Sequence, residues 1–348
     1  MAQPLDNFSQ STTDWRKIIR TNNRKTYFVI GLFILIYLAI GLLVDMYISM
    51  GSFPQASPSQ IFQALLHLQI FPLVTLVMLA VAIISLFITF SFHDRLMLLG
   101  TEYREITPTT AKNASEQQLY NVIEEMKIAA GLNYMPRVYL IDADYMNAFA
   151  SGYSEKSAMV AITRGLMGKL DRSELTAVMA HELSHVRHMD IKLTLMASVL
   201  ANLMVMILDM FFYNAIFSRR SNSERSNGLL TIIIILRYLI PVINILLLLY
   251  LSRTREYMAD AGCVQLTRDN HPLASALLKI NNDHQENLTA YNNAYQRTPH
   301  ENVRREAYIF DPVQAGIERT GSLTDMFSTH PNLKDRLAAL GFKYNGDK

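Results

Sequence analysis

The sequence predicts a mainly helical α+β protein held in a membrane, with about four transmembrane helices and a polar domain that carries a small sheet. Three observations predict it. Half of the 348 residues are hydrophobic and only 18% are charged, which is apolar-rich and charge-poor for a soluble chain. Four apolar runs each reach or exceed the roughly 20 residues that cross about 30 Å of hydrocarbon. Between and after them lie polar stretches with helical periodicity and short runs of strand character bounded by turn residues.

The first 26 residues are a polar tail carrying Arg16, Lys17, Arg20, Arg24 and Lys25. The first apolar run, 27–50, opens YFVIGLFILIYLAIGLLV. It is too long for a signal-peptide core and no A-x-A site follows it, so it reads as an anchor that stays. The loop 51–60, GSFPQASPSQ, has no charge, and a second span covers 70–92. Basic residues are retained on the cytoplasmic side, which places the N-terminus inside and that loop outside. The chain then returns to the cytosol for 93–190. Two further apolar runs, 191–217 and 229–251, form a hairpin, and 252–348 follows. The two polar pieces together have the size of one ordinary domain, so the hairpin interrupts a single cytosolic unit. Its loop, 218–228, carries Arg219, Arg220 and Arg225 against Glu224. That is the wrong sign for an outside loop and leaves a shallow or re-entrant hairpin as the alternative to a full crossing. Within the hairpin, Asp209 and Arg237 lie equally far from the loop. A charge in an apolar run is costly alone, so the two are expected to pair.

In the polar pieces, Ser115 opens an S-x-x-Q capping box for a helix over 116–130 that ends at Gly131. The stretches 137–141 (RVYLI) and 158–163 (AMVAIT) read as strands, with NAFASG at 147–152 between them. Helices are expected over 172–189, with Asp171 as N-cap, and over 254–265 and 271–282. Residues 291–325 carry no clear pattern. The formal charge of +2, from 32 basic and 30 acidic residues, gives no phosphate-coating excess, so no nucleic-acid partner is expected. The single cysteine, Cys263, excludes an internal disulfide and a thiolate metal cage, and reads as a small packed thiol.

The chemistry concentrates at VMAHELSHVRHMD, 178–190. His181-Glu182-x-x-His185 puts two imidazoles four residues apart on one helical face, about 5–6 Å between Cβ atoms, so that both reach one metal ion. Glu182, adjacent on the helix, can serve as a base toward a water held there. Zinc suits such a nitrogen and oxygen set with one open position. The extended pattern H-E-x-x-H-x-x-G-x-x-H would need Gly at 188 and His at 191. The chain has His188 and Ile191, so the third ligand comes from elsewhere. One helix face offers two well-placed ligands more readily than three, which argues against His188. Glu256, in RTREYMADAGC, is the candidate third ligand. Asp260, one turn on, would accept the N–H of a ligating histidine and fix its tautomer. Short helical steps join His185 to the hairpin's start at Ile191, and its end at Leu251 to Glu256, about 8–9 Å each. Both halves of the site are thereby expected near one membrane face.

HELSH, REYMAD, NAFASG and STHPNLKDR together resemble the HtpX-like membrane metallopeptidases, of gluzincin type and related to the CaaX-prenyl-protein endopeptidases. The resemblance covers most of the chain. It departs where the family usually has His-Pro-Pro and this chain has His330-Pro331-Asn332. It implies a gluzincin-like metalloprotease domain with one zinc bound by His181, His185 and Glu256, and with Glu182 as base. It also implies that His330 stabilises the transition state and that Asn147 lies in a substrate-binding edge strand. The implied substrates are polypeptides, above all damaged or misassembled membrane proteins, cut at the cytosolic face of a bacterial inner membrane. Two other functions fit less well: a CaaX-type endopeptidase, whose relatives have more spans, and a non-catalytic adaptor with structural zinc, which would have no use for Glu182.

Overall fold

The computed structural model describes residues 8–10, 15–81, 101–152, 154–188, 201–210, 224–297, 307–312 and 330–344, with a few single positions between them. The end of the second expected span, the start of the third, the hairpin loop residues 218–223 and most of 298–329 lie outside the described residues. The chain divides into two compact units, one of 1–26, 92–193 and 249–348, the other of 27–91 and 194–248.

The described elements, in order, are β1 (Phe8–Gln10), α1 (Trp15–Ser52), α2 (Pro58–Leu66), β2 (Tyr103–Ile106), α3 (Ala114–Ala130), β3 (Arg137–Ile141), β4 (Ala148–Ser151), β5 (Met159–Thr163), α4 (Arg164–Lys169), α5 (Arg172–His188), α6 (Glu224–Thr267), α7 (His271–Glu286), α8 (Leu288–Arg297), α9 (Leu333–Ala339) and β6 (Phe342–Tyr344). The chain is mostly helical with a small mixed sheet, as the composition and patterning predict.

In the first unit a four-stranded sheet runs β2-β3-β5-β4. The pairs β2/β3 and β5/β4 are antiparallel and β3/β5 is parallel. Every residue of β5 is buried, matching its unbroken run MVAIT, the sequence signature of a strand covered on both faces. Helix α5 packs against β4, α3 and α7, and for that reason it is buried almost continuously from Glu174 to Val186. Its N-terminus is held as the sequence predicts, with Asp171 Oδ1 accepting from the Glu174 amide at 2.9 Å. Helix α3 starts earlier than its S-x-x-Q suggests. Asn113 is the N-cap and accepts from the Glu116 amide at 2.9 Å, so Ser115 falls inside the first turn. The C-terminus follows expectation, since Gly131 takes φ 72° and closes the helix in the left-handed region. β1 pairs antiparallel with β6.

Two helices, Tyr27–Ser52 and Ile234–Thr267, are long and apolar enough to cross a membrane among the described residues. In the second unit Asp45 accepts from the amides of Val74 and Thr75 at 2.8 Å each and from Thr75 Oγ1 at 2.7 Å. It thereby satisfies orphan donors where the next apolar helix begins. A short helix, α2, begins at the end of the uncharged loop and runs on to Leu66; Ser57 and Gln60 form its capping box, a local signal that hydropathy does not register. Asp209 and Arg237 pair as predicted, with Arg237 Nε donating to Asp209 Oδ1 at 2.6 Å. The guanidinium also lies 3.9 Å from the Phe212 ring centroid. Where the sequence suggested an apolar run and then a separate helix over 254–265, the chain forms one helix, α6. Ser252-Arg253-Thr254 contains neither glycine nor proline, so nothing there stops helical propagation.

Candidate metal centre

The site lies within the first unit, where α5 and α6 cross. Gly262 makes the crossing close: a Cβ there would meet Ser184 Oγ at 2.5 Å. Ser184 in turn bonds back to the Ala180 carbonyl at 2.8 Å, and Cys263 Sγ donates to the Ala177 carbonyl at 3.1 Å. This contact sets the lower half of α6 against the histidine face of α5. Six residues before Gly262, somewhat under two turns, Glu256 then faces His181 and His185.

The geometry is tight. His181 Nε2 is 3.6 Å from Glu256 Oε2, His185 Nε2 is 3.6 Å from Glu256 Oε1, and the two Nε2 atoms are 3.2 Å apart. One ligand atom from each of the three residues lies within 4.8 Å of the others, and all three residues are buried. On its other side, His181 Nδ1 lies 2.9 Å from Asp260 Oδ1. Asp260 is also gripped by Arg336, whose Nη2 and Nε donate to its two oxygens at 2.6 and 3.0 Å. Arg336 Nη1 reaches Glu256 Oε2 at 3.5 Å and donates to the Ile309 carbonyl. His330 Nε2 is 3.8 Å from Glu256 Oε1. Glu182 is fully buried beside the pair of histidines.

Electrostatics fit a cation. Burial works against a charge on His181, yet Asp260 and Glu256 beside it win and push its pKa up to about 9. Burial pushes Glu182 up, against the pull of His181 and His185. Burial pushes His330 down, opposed by Glu256. Three carboxylates are buried here, and two of them share one guanidinium. Both Glu182 oxygens and Glu256 Oε2 lack a hydrogen bond of good geometry, which is costly in a dry interior unless a ligand completes them. Two imidazole nitrogens converging at 3.2 Å also want a proton or a metal between them. The residues therefore fit a divalent ion held by His181, His185 and Glu256.

The structure thus brings together His181, Glu182, His185, Glu256, Asp260 and His330. Asn147 stands just before β4, where its amide bonds to Phe310. His188 stays off the ligand cluster; its imidazole faces the Gly262 crossing. Arg336 was not singled out by the sequence, although it lies in the same STHPNLKDR stretch as His330; an arginine's burial has no periodic signal.

A family model, Peptidase family M48, matches residues 113–342. Proteins described as "Protease HtpX homolog" align closely. One from Helicobacter pylori (strain Shi470) is 37% identical over 331 residues, 94% of this chain and 98% of that protein. One from Helicobacter acinonychis (strain Sheeba) is 37% identical with the same coverage. One from Dictyoglomus thermophilum is 37% identical over 222 residues, 64% of this chain and 68% of that protein. A crystal structure of S. mikatae Ste24p superposes with a TM-score of 0.48 at 17% identity, covering 96% of this chain and 68% of that one. With the family match spanning the whole His181-to-Arg336 constellation, the chain belongs to peptidase family M48 and is a metallopeptidase.

Proposed function

We propose that the chain is a zinc-dependent endopeptidase that cuts polypeptide segments of membrane proteins near the cytosolic face of the bilayer. The observation that carries the reading is the set His181, His185 and Glu256, converging beside a buried Glu182 whose oxygens are unsatisfied. A nitrogen and carboxylate set without thiolate suits zinc, and leaves a position open for chemistry. Zinc bound there would acidify a water molecule and polarise the scissile carbonyl.

The remaining work falls to the chain's own residues. Glu182 takes the proton of the attacking water and delivers it to the leaving amine. Its raised pKa suits both halves of that task. Asp260 holds the His181 ring by Nδ1, leaving Nε2 turned to the metal. Arg336 fixes Asp260 in turn. His330, within 3.8 Å of Glu256, is placed to donate to the oxyanion as the carbonyl turns tetrahedral. An extended substrate adds to β4, where the Asn147 amide and the outward backbone groups of the strand take main-chain hydrogen bonds with little demand on side chains. Low sequence demand suits the removal of damaged or misassembled proteins in a bacterial inner membrane. In this reading the apolar runs 27–50, 70–92, 191–217 and 229–251 make four spans, and the N-terminus and the catalytic unit are cytosolic.

The test is Glu182→Gln. The variant should keep its zinc and lose cleavage of an unfolded substrate by a factor of about 100 to 10,000, the range of general acid–base contributions. Substantial turnover in a metal-verified preparation of that variant would remove Glu182 from the role.

A further inference from the structure

We propose that residues Tyr308–Phe310 are a built-in substitute for substrate: they occupy the outer edge of β4, and cleavage requires their release. The inference rests on the proposed function, specifically on β4 and Asn147 as the substrate's docking edge.

β4 is the last strand of its sheet. The Asn147 carbonyl accepts from the Thr163 amide at 3.0 Å on the β5 side, and Phe149 lies opposite Ala161. Antiparallel alternation then turns the Ala148 backbone groups outward. That outer edge is already filled. The Ile309 amide donates to the Ala148 carbonyl at 2.9 Å, and Phe149 sits opposite Tyr308 in an antiparallel bridge. Asn147 brackets the next residue, with Nδ2 donating to the Phe310 carbonyl at 3.0 Å and Oδ1 accepting from the Phe310 amide at 3.4 Å. Arg336 donates to the Ile309 carbonyl with the same Nη1 that lies 3.5 Å from Glu256. One guanidinium therefore separates the segment's carbonyl from the metal ligands.

The groups given to substrate in the proposed mechanism, the Ala148 carbonyl and both ends of the Asn147 amide, are thus engaged by the chain itself. A strand edge pairs with one partner at a time. The segment is also anchored by side chains: the Tyr308 ring meets Phe149 edge-to-face at 5.8 Å, and its hydroxyl lies 3.3 Å from that of Tyr145. An intramolecular strand competes at high effective concentration. Substrate affinity is accordingly scaled down by the fraction of molecules in which the edge is open. Such a device restrains a protease of low sequence specificity until a long or concentrated extended segment displaces the resident one.

Two cysteines test this. Phe149 and Tyr308 form a non-hydrogen-bonded antiparallel pair, whose Cα atoms lie about 4.5 Å apart, inside the range a disulfide bridges. The full-length zinc-loaded F149C/Y308C protein is oxidised, assayed on an unfolded model substrate, then reduced and assayed again, with zinc content measured in both forms. Cleavage at least tenfold lower in the oxidised form, restored by reduction at unchanged zinc, is the expected result. Equal cleavage in both forms overturns the proposal. Should the variant be inactive in both forms, hydrogen exchange on full-length Glu182→Gln protein decides instead. Bound model substrate should speed exchange of the Ile309 and Phe310 amides; unchanged or slower exchange overturns the proposal. Loss of the underlying reading looks different, because wild-type zinc protein would then cleave nothing.

Discussion

Replacing Asp260 with Asn tests how the site holds its metal. The carboxylate lies 2.9 Å from His181 Nδ1 and takes two hydrogen bonds from Arg336, at 2.6 and 3.0 Å. Asn keeps the shape but removes the charge and turns one acceptor into a donor. Its NH2 must then confront the Arg336 guanidinium in either orientation, and in one of them the His181 Nδ1 edge as well. Loss of the carboxylate behind a ligating histidine costs about 10- to 100-fold in metal affinity, or about 1.4–2.7 kcal/mol. The same change leaves Arg336, only 3% exposed, with its other contacts at Glu256 and the Ile309 carbonyl. Breaking a buried ion pair from one side costs about 3–5 kcal/mol of folding stability. The assay is a competition titration of zinc against a chromophoric chelator on detergent-solubilised protein, alongside thermal unfolding. At saturating zinc, cleavage should recover substantially, because Asp260 acts through His181 rather than on substrate. Zinc affinity within twofold of wild type, with unfolding unshifted, would refute the argument that Asp260 orients the ligand.

Two further outcomes follow from the geometry. His284 is buried, with Nδ1 2.8 Å from the Ile280 carbonyl and Nε2 3.2 Å from Tyr295 Oη, and burial lowers its pKa from 6.5 to about 4. The unfolded chain therefore binds a proton more readily than the fold. The stabilisation, on the order of 3 kcal/mol, is complete above about pH 6.5 and is lost as pH falls toward 4. Between pH 7 and 5 the wild type should lose about 2 kcal/mol more stability than His284→Gln, and parallel losses in the two proteins would contradict this. In the hairpin, exchanging Asp209 and Arg237 should be better tolerated than either single reversal, read as folded yield from membranes; a double reversal no better than the singles would mean that the 2.6 Å contact contributes nothing.

The parts legible in the sequence were those with a fixed spacing. H-E-x-x-H places two imidazoles by helix geometry alone, and Glu256 with Asp260 repeats that interval on α6. The Asp209–Arg237 pair follows from equal depth in two antiparallel helices. What escaped was decided by tertiary contact. Gly262 is one small residue in an ordinary helix until Ser184 lies against it. Arg336 is a charge on a short helix until burial places it between Asp260 and Glu256. Tyr308–Phe310 sits in a stretch without periodicity, because its partner is a strand edge far away in sequence. Asn113 took the N-cap from Ser115 because two competent capping residues lie close together and the capping-box spacing favoured the wrong one.

X-ray absorption at the zinc edge, on active protein purified without chelators, reads the ligands around the metal themselves. The expected result is one zinc per chain with two imidazole nitrogens at about 2.0–2.1 Å and carboxylate oxygen at about 2.0–2.2 Å, the nitrogen signal halved in His185→Ala. Active protein without zinc, or a sulfur neighbour at about 2.3 Å, would contradict it.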